Sequence, residues 1–307
     1  MIIDLVVLVL LVVTQKWPFG MSDNVASIII PTVSSIIVFA LGWIITVIYN
    51  VSAKRRAISS YRRAVFEWTD LVIQAVQKQV QSLKVLSEKL ASAQSIYPEP
   101  YEFARSMSDK LKDLSAERVI SVFIENCRYS HEDKRAKYSY NLISQYDFLS
   151  SIEGLVKGNY EAYNNQANAL RKQWNRLWMS LLHEMDAVRQ MFPQDFKVGQ
   201  YLREIIDSFV EVEGQVGQMD VINAKLIKPL IDAVDYCKKA YPEVRCYQPV
   251  YVCIDNMALL YKQWFGTTRS YSDVFSKNVS TIETSLAALQ EAINYFKNST
   301  RVAFWVR

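Results

Sequence analysis

The chain has 307 residues, and its 35 basic and 31 acidic side chains leave a formal net charge of +4. A charge so nearly balanced and so scattered along the chain does not form the concentrated basic surface that nucleic-acid binding requires. Only 8 glycines and 8 prolines occur, and both residues interrupt helices. Because long stretches contain neither residue, we predict an all-α fold. These stretches are 43–97, 101–153, 159–192 and 267–307.

The cysteines and the short motifs indicate neither a disulfide framework nor a metal or cofactor site. The four cysteines are widely spaced in helical or apolar contexts, which favours reduced thiols and a cytosolic compartment. They are Cys127, Cys237, Cys246 and Cys253. The sequence has no C-x-x-C or H-E-x-x-H pattern, and it has no glycine-rich phosphate loop or dinucleotide-binding fingerprint. We therefore expect no metal and no cofactor.

The strongest local signal is the segment 27–49, which carries no charged residue. About 20 apolar residues suffice to cross a hydrocarbon core of roughly 30 Å, and transmembrane helices tolerate residues such as Pro31 and Gly42. A basic cluster follows, with no acidic residue before Glu67. The cluster consists of Lys54, Arg55, Arg56, Arg62 and Arg63. The positive-inside rule then places everything after Asn50 in the cytoplasm.

The basic cluster allows two interpretations. It can act only as a determinant of topology, or it can also contact anionic lipids at the membrane surface, with about 1 kcal/mol per basic residue. The second interpretation makes these five residues a membrane-surface binding site. Both interpretations take the lipid bilayer as the first partner of the chain.

The first apolar segment, 2–13, is harder to interpret because a helix of that length rises only about 18 Å and Asp4 interrupts it. A signal peptide is one interpretation, but the segment lacks a basic start and a small-residue cleavage site. Extending the helix to Trp17 or Phe19 nearly spans the bilayer. We therefore predict a transmembrane hairpin with its turn at 16–24 and both termini cytoplasmic. Residues 1–50 form the membrane anchor, and 51–307 form a cytosolic helical domain.

Beyond the anchor, apolar residues recur every three or four positions, as on one face of a long helix. This pattern continues to residue 90, so we expect the anchor to run straight into the cytosolic domain. Pro98 and Pro100 end that helix and predict a reversal of the chain. Two or three helices follow up to residue 152, and Gly154 and Gly158 indicate a break. Another long amphipathic helix should then end at Pro193.

The last third of the chain predicts helices at 202–216 and 221–241, the second kinked at Pro229 or starting near it, because proline is best tolerated in a first helical turn. The stretch 241–253 contains two prolines and β-prone residues, so we expect a connecting loop or a short extended piece there. A final helix runs from 272 to 306. Together the elements predict a bundle of long antiparallel helices, with a possible internal boundary near 193–199.

Two features offer candidate functional residues in the cytosolic domain. Arg176 and His183 form an Arg-x6-His pattern similar to the active site of HEPN-type ribonucleases, which are small helical bundles. The resemblance implies that the arginine stabilises charge on the reacting phosphate while the histidine transfers a proton. In the alternative interpretation they are surface residues of an amphipathic helix. Phe304 and Trp305 form an apolar tail that can dock on the bundle, on another subunit or at the membrane interface.

Three functional hypotheses follow. The first is a non-enzymatic bacterial inner-membrane protein whose helical bundle binds or senses a partner, or associates with itself, and couples this event to the membrane helices. In layout it resembles the two-transmembrane effectors of bacterial anti-phage systems, which assemble and perturb the membrane. The second is a membrane-tethered HEPN-like ribonuclease. The third is an envelope scaffold protein whose helical domain lies outside the cell.

Overall fold

The structure is a computed structural model that describes residues 23–92, 97–101, 116–125, 132–191, 197–210, 219–242 and 247–305. These residues contain no β-strand and are almost all helical, which confirms the all-α prediction. The chain divides into two compact units, Met1–Phe66 and Glu67–Arg307. The predicted hairpin partner, 2–13, and its turn lie outside the described residues, apart from the last two turn positions.

The first helix, α1, runs without interruption from Asp23 to Ser92. It contains the predicted membrane segment and continues far beyond it, as the absence of glycine and proline after Gly42 predicted. Pro31 is the ninth residue of α1, beyond its first turn, and it removes one backbone hydrogen bond from the helix. At about 1.5 Å per residue, α1 is roughly 105 Å long.

A short helix, α2, spans Ala116–Ile120 and passes into a π-helical turn at Ser121–Glu125. The second long helix, α3, spans Glu132–Met191 and is followed by α4 at Lys197–Val210. Three further helical segments follow, Met219–Ile222 (α5), a π-helical turn at Asn223–Ile227, and Lys228–Ala240 (α6). The last helix, α7, spans Gln248–Trp305.

The predicted break at Gly154 and Gly158 is wrong, because α3 continues through both residues. Each glycine is exposed, and a Cβ atom at either position would meet no atom within 4 Å. Neither residue therefore makes a turn or a close approach of backbones. Glycine in a helix interior costs about 1 kcal/mol relative to alanine. The burial of side chains such as Val156 and Tyr163 on the same helix outweighs that cost.

The predicted loop or extended piece at 241–253 is wrong from Gln248 onward, whereas Tyr241, Pro242 and Tyr247 are non-helical, as predicted. Helix α7 begins at Gln248, so Val250 and Val252 are helical and the final helix starts well before residue 272. Pro249 lies in the first turn, where the missing backbone donor would have no helical acceptor in any case. Val250 is buried, and this tertiary packing overrides its β propensity. Pro229 occupies the first turn of α6, as predicted.

Helices α3 and α7 pack against each other in opposite directions. Tyr138 Oη donates a hydrogen bond to Glu291 of α7 at 2.9 Å, and farther along the pair Ser285 Oγ donates to Gln145 at 2.6 Å. Buried residues on both helices recur at alternating spacings of three and four, as in a coiled coil. On α3 they include Leu142, Tyr146, Leu149, Val156, Tyr163, Ala167, Trp174 and Leu181.

The part of α1 that belongs to the second unit packs on this pair. Lys297 of α7 binds Asp70 at 2.9 Å, and Ser272 Oγ donates to the carbonyl of Ser87 at 2.7 Å. Residue numbers therefore rise along α1 as they fall along α7, so these two helices are antiparallel. The side chains of Thr69 and Tyr146 share a buried hydrogen bond between α1 and α3. These contacts enclose the core of the second unit.

Candidate functional site

Residues 35–51 of α1 form a band of exposed apolar side chains, which we call the apolar band. Seven of its large apolar residues are between 60% and 78% exposed. They are Ile36, Val38, Phe39, Trp43, Ile45, Ile48 and Tyr49. Successive residues of an α-helix are rotated by about 100°, so these positions surround the helix rather than lining one side. A single protein partner would require only one apolar stripe.

By length and composition, one helix among the described residues is long and apolar enough to cross a membrane, and it contains the apolar band. Its most apolar window has a mean hydropathy of 2.1, and only 6% of that window is buried. A core helix of a soluble protein can meet the same criteria of length and composition, but its side chains are mostly buried. The exposure of the band on every side therefore matches a lipid environment better than a protein core.

Polar groups within the band are few, and at least one is satisfied inside the helix. The hydroxyl of Thr46 donates a hydrogen bond to the carbonyl of Gly42 at 2.8 Å. A hydroxyl bonded in this way does not need water, which is the condition for placing threonine in hydrocarbon.

The basic cluster follows the band on the same helix and forms two tiers. Lys54, Arg55 and Arg56 are exposed and make up the proximal tier, which begins three residues after Val51. The distal tier consists of Arg62, which is partly buried, and Arg63, which is exposed. Seven residues separate Arg55 from Arg62 and Arg56 from Arg63. Each of these pairs therefore shares one face of the helix, with about 10 Å between the tiers.

In the second unit, the residues Tyr97–Tyr101 form a short non-helical segment, which we call the proline strap. Its backbone is held by two tyrosines of α3. The N–H of Glu99 donates to Tyr163 Oη and the N–H of Tyr101 donates to Tyr160 Oη, each at 3.1 Å. The Tyr160 hydroxyl in turn donates to the carbonyl of Glu99 at 3.2 Å. These bonds satisfy backbone groups that the two prolines keep out of a helix.

Side chains of the proline strap also bind both neighbouring helices. Glu99 accepts a hydrogen bond from Lys89 of α1 at 3.2 Å. The guanidinium of Arg171 on α3 lies 4.4 Å from the centre of the Tyr97 ring. Burial raises the pKa of Tyr101 to about 12 against the opposing effect of a hydrogen bond with Gln79. The strap therefore joins the end of α1 to α3.

The sequence predicted only a chain reversal at the strap and did not identify its binding partners. A shallow groove of about 260 Å³ lies beside it, between α1 residues 81–89 and Pro100–Tyr101. The signal that could have indicated these contacts is the pair Tyr160 and Tyr163, which lie three residues apart on one face of α3. Nothing in the sequence assigns that face to residues sixty positions earlier.

Arg176 and His183 are both exposed on α3. They lie seven residues apart, and so they share one face of the helix with about 10 Å between their backbones. The charge of the adjacent Glu184 adds to the effect of burial in raising the pKa of the Cys253 thiol on α7.

The remaining predicted site is the tail of α7. Helix α7 extends to Trp305, while the side chains of Phe304 and Trp305 lie outside the described residues. Among the described residues, no group of three or more His, Cys, Asp or Glu side chains could hold a metal ion. No family model matches the sequence, and neither a curated protein nor a solved structure matches it.

Proposed function

We propose that the chain is a bacterial inner-membrane protein, anchored by a helical hairpin with both termini in the cytoplasm. The observation that carries the proposal is the apolar band, which is exposed on every side of the helix and is followed directly by the basic cluster. A bilayer buries such a surface on all sides, and positive charge accumulates on the cytoplasmic side of a span. The bundle after the anchor is then cytosolic.

Labelling of a single introduced cysteine tests this topology. Ser280 is exposed on α7, so Ser280→Cys gives an accessible thiol, whereas the native Cys237 is buried. A membrane-impermeant maleimide should label the variant only after the inner membrane is permeabilised. The unsubstituted chain, treated in parallel, corrects for labelling of the native cysteines. Labelling in cells with an intact inner membrane would refute the cytosolic location and favour the envelope scaffold.

We further propose that the cytosolic bundle has no catalytic role and that it binds a protein, most simply a second copy of the chain, and couples this event to the membrane helices. Val252 and Leu259 support this proposal, because they lie seven residues apart on one face of α7 and are 50% and 55% exposed. Apolar side chains presented together on one helical face are suited to helix–helix association. An effector of the anti-phage type would use such assembly to perturb the membrane.

The mass of the detergent-solubilised protein tests self-association directly. Leu259→Arg should lower the mass measured by light scattering from an oligomer to a monomer, because it places a charge in the proposed contact. Ala287→Arg is the matched control, since Ala287 is exposed on α7 at a distance of 28 residues from Leu259. A wild-type chain that is monomeric at all concentrations, or equal effects of both substitutions, would contradict the self-association proposal.

The ribonuclease is the alternative function, and the shared exposed face of Arg176 and His183 is the observation that favours it. Removing the imidazole in His183→Ala would abolish proton transfer and with it RNA cleavage. Purified wild-type and variant chains are compared on single-stranded RNA. Cleavage by the wild type that is lost in His183→Ala would establish the alternative, and equal behaviour of the two chains would remove it.

A further inference from the structure

We infer that the proximal tier, Lys54, Arg55 and Arg56, binds the headgroups of anionic phospholipids. The inference rests on the proposed membrane anchoring, and it adds a lipid class to it. The apolar band ends at Val51, so the proximal tier begins about 4.5 Å farther along the helix axis. That short distance places three long cationic side chains at the depth of the lipid phosphates when the band lies in hydrocarbon.

The chemistry of the tier suits phosphate groups in particular. A guanidinium presents a planar set of donors that matches two phosphate oxygens, while the ammonium of lysine acts as a compact charge. All three side chains are exposed, and α1 contains no acidic residue from 35 to 66 that could neutralise them. Tyr49, five residues before Lys54, is 69% exposed, in a position typical of the aromatic residues found at membrane interfaces.

The arrangement around the helix indicates several lipids rather than one enclosed site. Three consecutive residues are rotated by about 100° each, so the tier covers roughly 200° of the helix circumference. Neighbouring side chains therefore point to different lipid molecules. The expected property is an enrichment of anionic lipid around the helix, without a single saturable pocket.

The distal tier provides an internal comparison, because Arg63 shares a helical face with Arg56 but lies about 10 Å farther from the apolar band. Electrostatic attraction to a lipid surface decays over a Debye length of about 8 Å at physiological ionic strength. If the tier binds headgroups directly, Arg56 should therefore contribute more than Arg63 to the preference for anionic lipid. If the charges only determine topology, Arg56 and Arg63 should be equivalent, because the positive-inside rule depends on the total number of basic residues within about 15–20 positions of a span.

The test uses the full chain reconstituted in phosphatidylcholine vesicles that contain a minor fraction of phosphatidylglycerol. Either lipid carries brominated acyl chains, and because the chain has 7 tryptophans, the quenching of Trp43 is taken as the difference between the wild type and Trp43→Phe. This difference reports which lipid surrounds the band. We expect phosphatidylglycerol to be preferred by up to about fivefold for each basic residue in contact, which corresponds to about 1 kcal/mol. Raising the salt concentration to about 1 M, where the Debye length is about 3 Å, should reduce the preference.

Arg56→Gln should lower this preference several-fold, and Arg63→Gln, which removes the same charge from the same face, should leave it close to the wild-type value. The triple variant Lys54→Gln/Arg55→Gln/Arg56→Gln should abolish it. Orientation does not confound the comparison, because both leaflets of the vesicle have the same composition. Equal quenching per mole of the two brominated lipids in the wild type, or equal losses in Arg56→Gln and Arg63→Gln, would overturn the inference.

The same measurement separates failure of this inference from failure of the anchor. If brominated phosphatidylcholine quenches Trp43 as strongly per mole of lipid as brominated phosphatidylglycerol, the band is inserted and only the lipid preference is wrong. If neither lipid quenches Trp43, the band does not enter the bilayer, and the proposed anchoring fails together with the lipid preference.

Discussion

The substitution Tyr163→Phe removes one oxygen atom from the anchorage of the proline strap and changes little else. The Tyr163 side chain is fully buried, and its hydroxyl accepts the N–H of Glu99 at 3.1 Å. Phenylalanine retains the ring, so the aromatic contacts with Tyr160 and Tyr271, at 6.1 and 5.5 Å between centroids, can persist. The variant therefore isolates the hydrogen bond from the packing.

The expected cost follows from the part-buried setting of this bond. A buried donor left without its acceptor costs about 1–3 kcal/mol, and partial access of water to Glu99 favours the lower half of that range. We expect a loss of about 1.5 kcal/mol. For a unit of this size, such a loss lowers the melting temperature by roughly 3–6 °C.

Thermal unfolding followed by far-ultraviolet circular dichroism in detergent measures this loss. Limited proteolysis adds a local measurement, because a loosened strap should be cleaved faster next to Tyr97 and Tyr101. Tyr140→Phe is the control, since Tyr140 is 72% exposed on the same helix and its substitution should change the stability by no more than about 0.5 kcal/mol. Unchanged melting and unchanged cleavage in Tyr163→Phe would refute the proposed role of the hydroxyl.

Three further predictions concern the second unit. Burial raises the pKa of Tyr101 and of Tyr163 to about 12, above the value near 10 in the unfolded chain. The neutral hydroxyls therefore stabilise the folded state. This contribution is complete below about pH 10 and is lost as the pH rises through about 12. Urea midpoints across this range check the loss, which Tyr163→Phe should reduce. Gly154→Ala should stabilise the chain by about 0.5–1 kcal/mol in urea unfolding, because the helix has room for the methyl group; a destabilised variant would show that the space is occupied. A double-mutant cycle on Asp70 and Lys297 should give a coupling below about 1 kcal/mol, since both side chains are more than a third exposed, and a larger value would indicate a drier environment.

Local sequence signals located the helices where chain-breaking residues were the deciding factor. The absence of glycine and proline between Gly42 and Pro98 predicted that the apolar segment would continue as one helix, and α1 ends at Ser92. Pro229 lies in the first turn of α6, directly after the π-helical turn Asn223–Ile227. These features depend on neighbouring residues alone, so the sequence contains all the information that determines them.

The same signals failed where packing over long distances overrides local preference. Gly154 and Gly158 are helical because the rest of α3 buries a long apolar face, and Val250 is helical because the start of α7 is packed into the core. A local preference of about 1 kcal/mol or less is smaller than the free energy gained by burying several large side chains. In both places the local signal was correctly identified but too weak to decide the structure.

By itself, the sequence determined the all-α class, the extent of α1 and the apolar segment followed by basic residues, because each depends on composition or on spacing along one helix. Only the tertiary structure decided which surfaces meet. The structure alone shows that the apolar band is exposed on every side. It also shows that Ser285 binds Gln145 and that Tyr163 binds the backbone of Glu99. The partners in these two contacts lie 140 and 64 residues apart, and an amphipathic face indicates that it will be buried without specifying the residues that bury it.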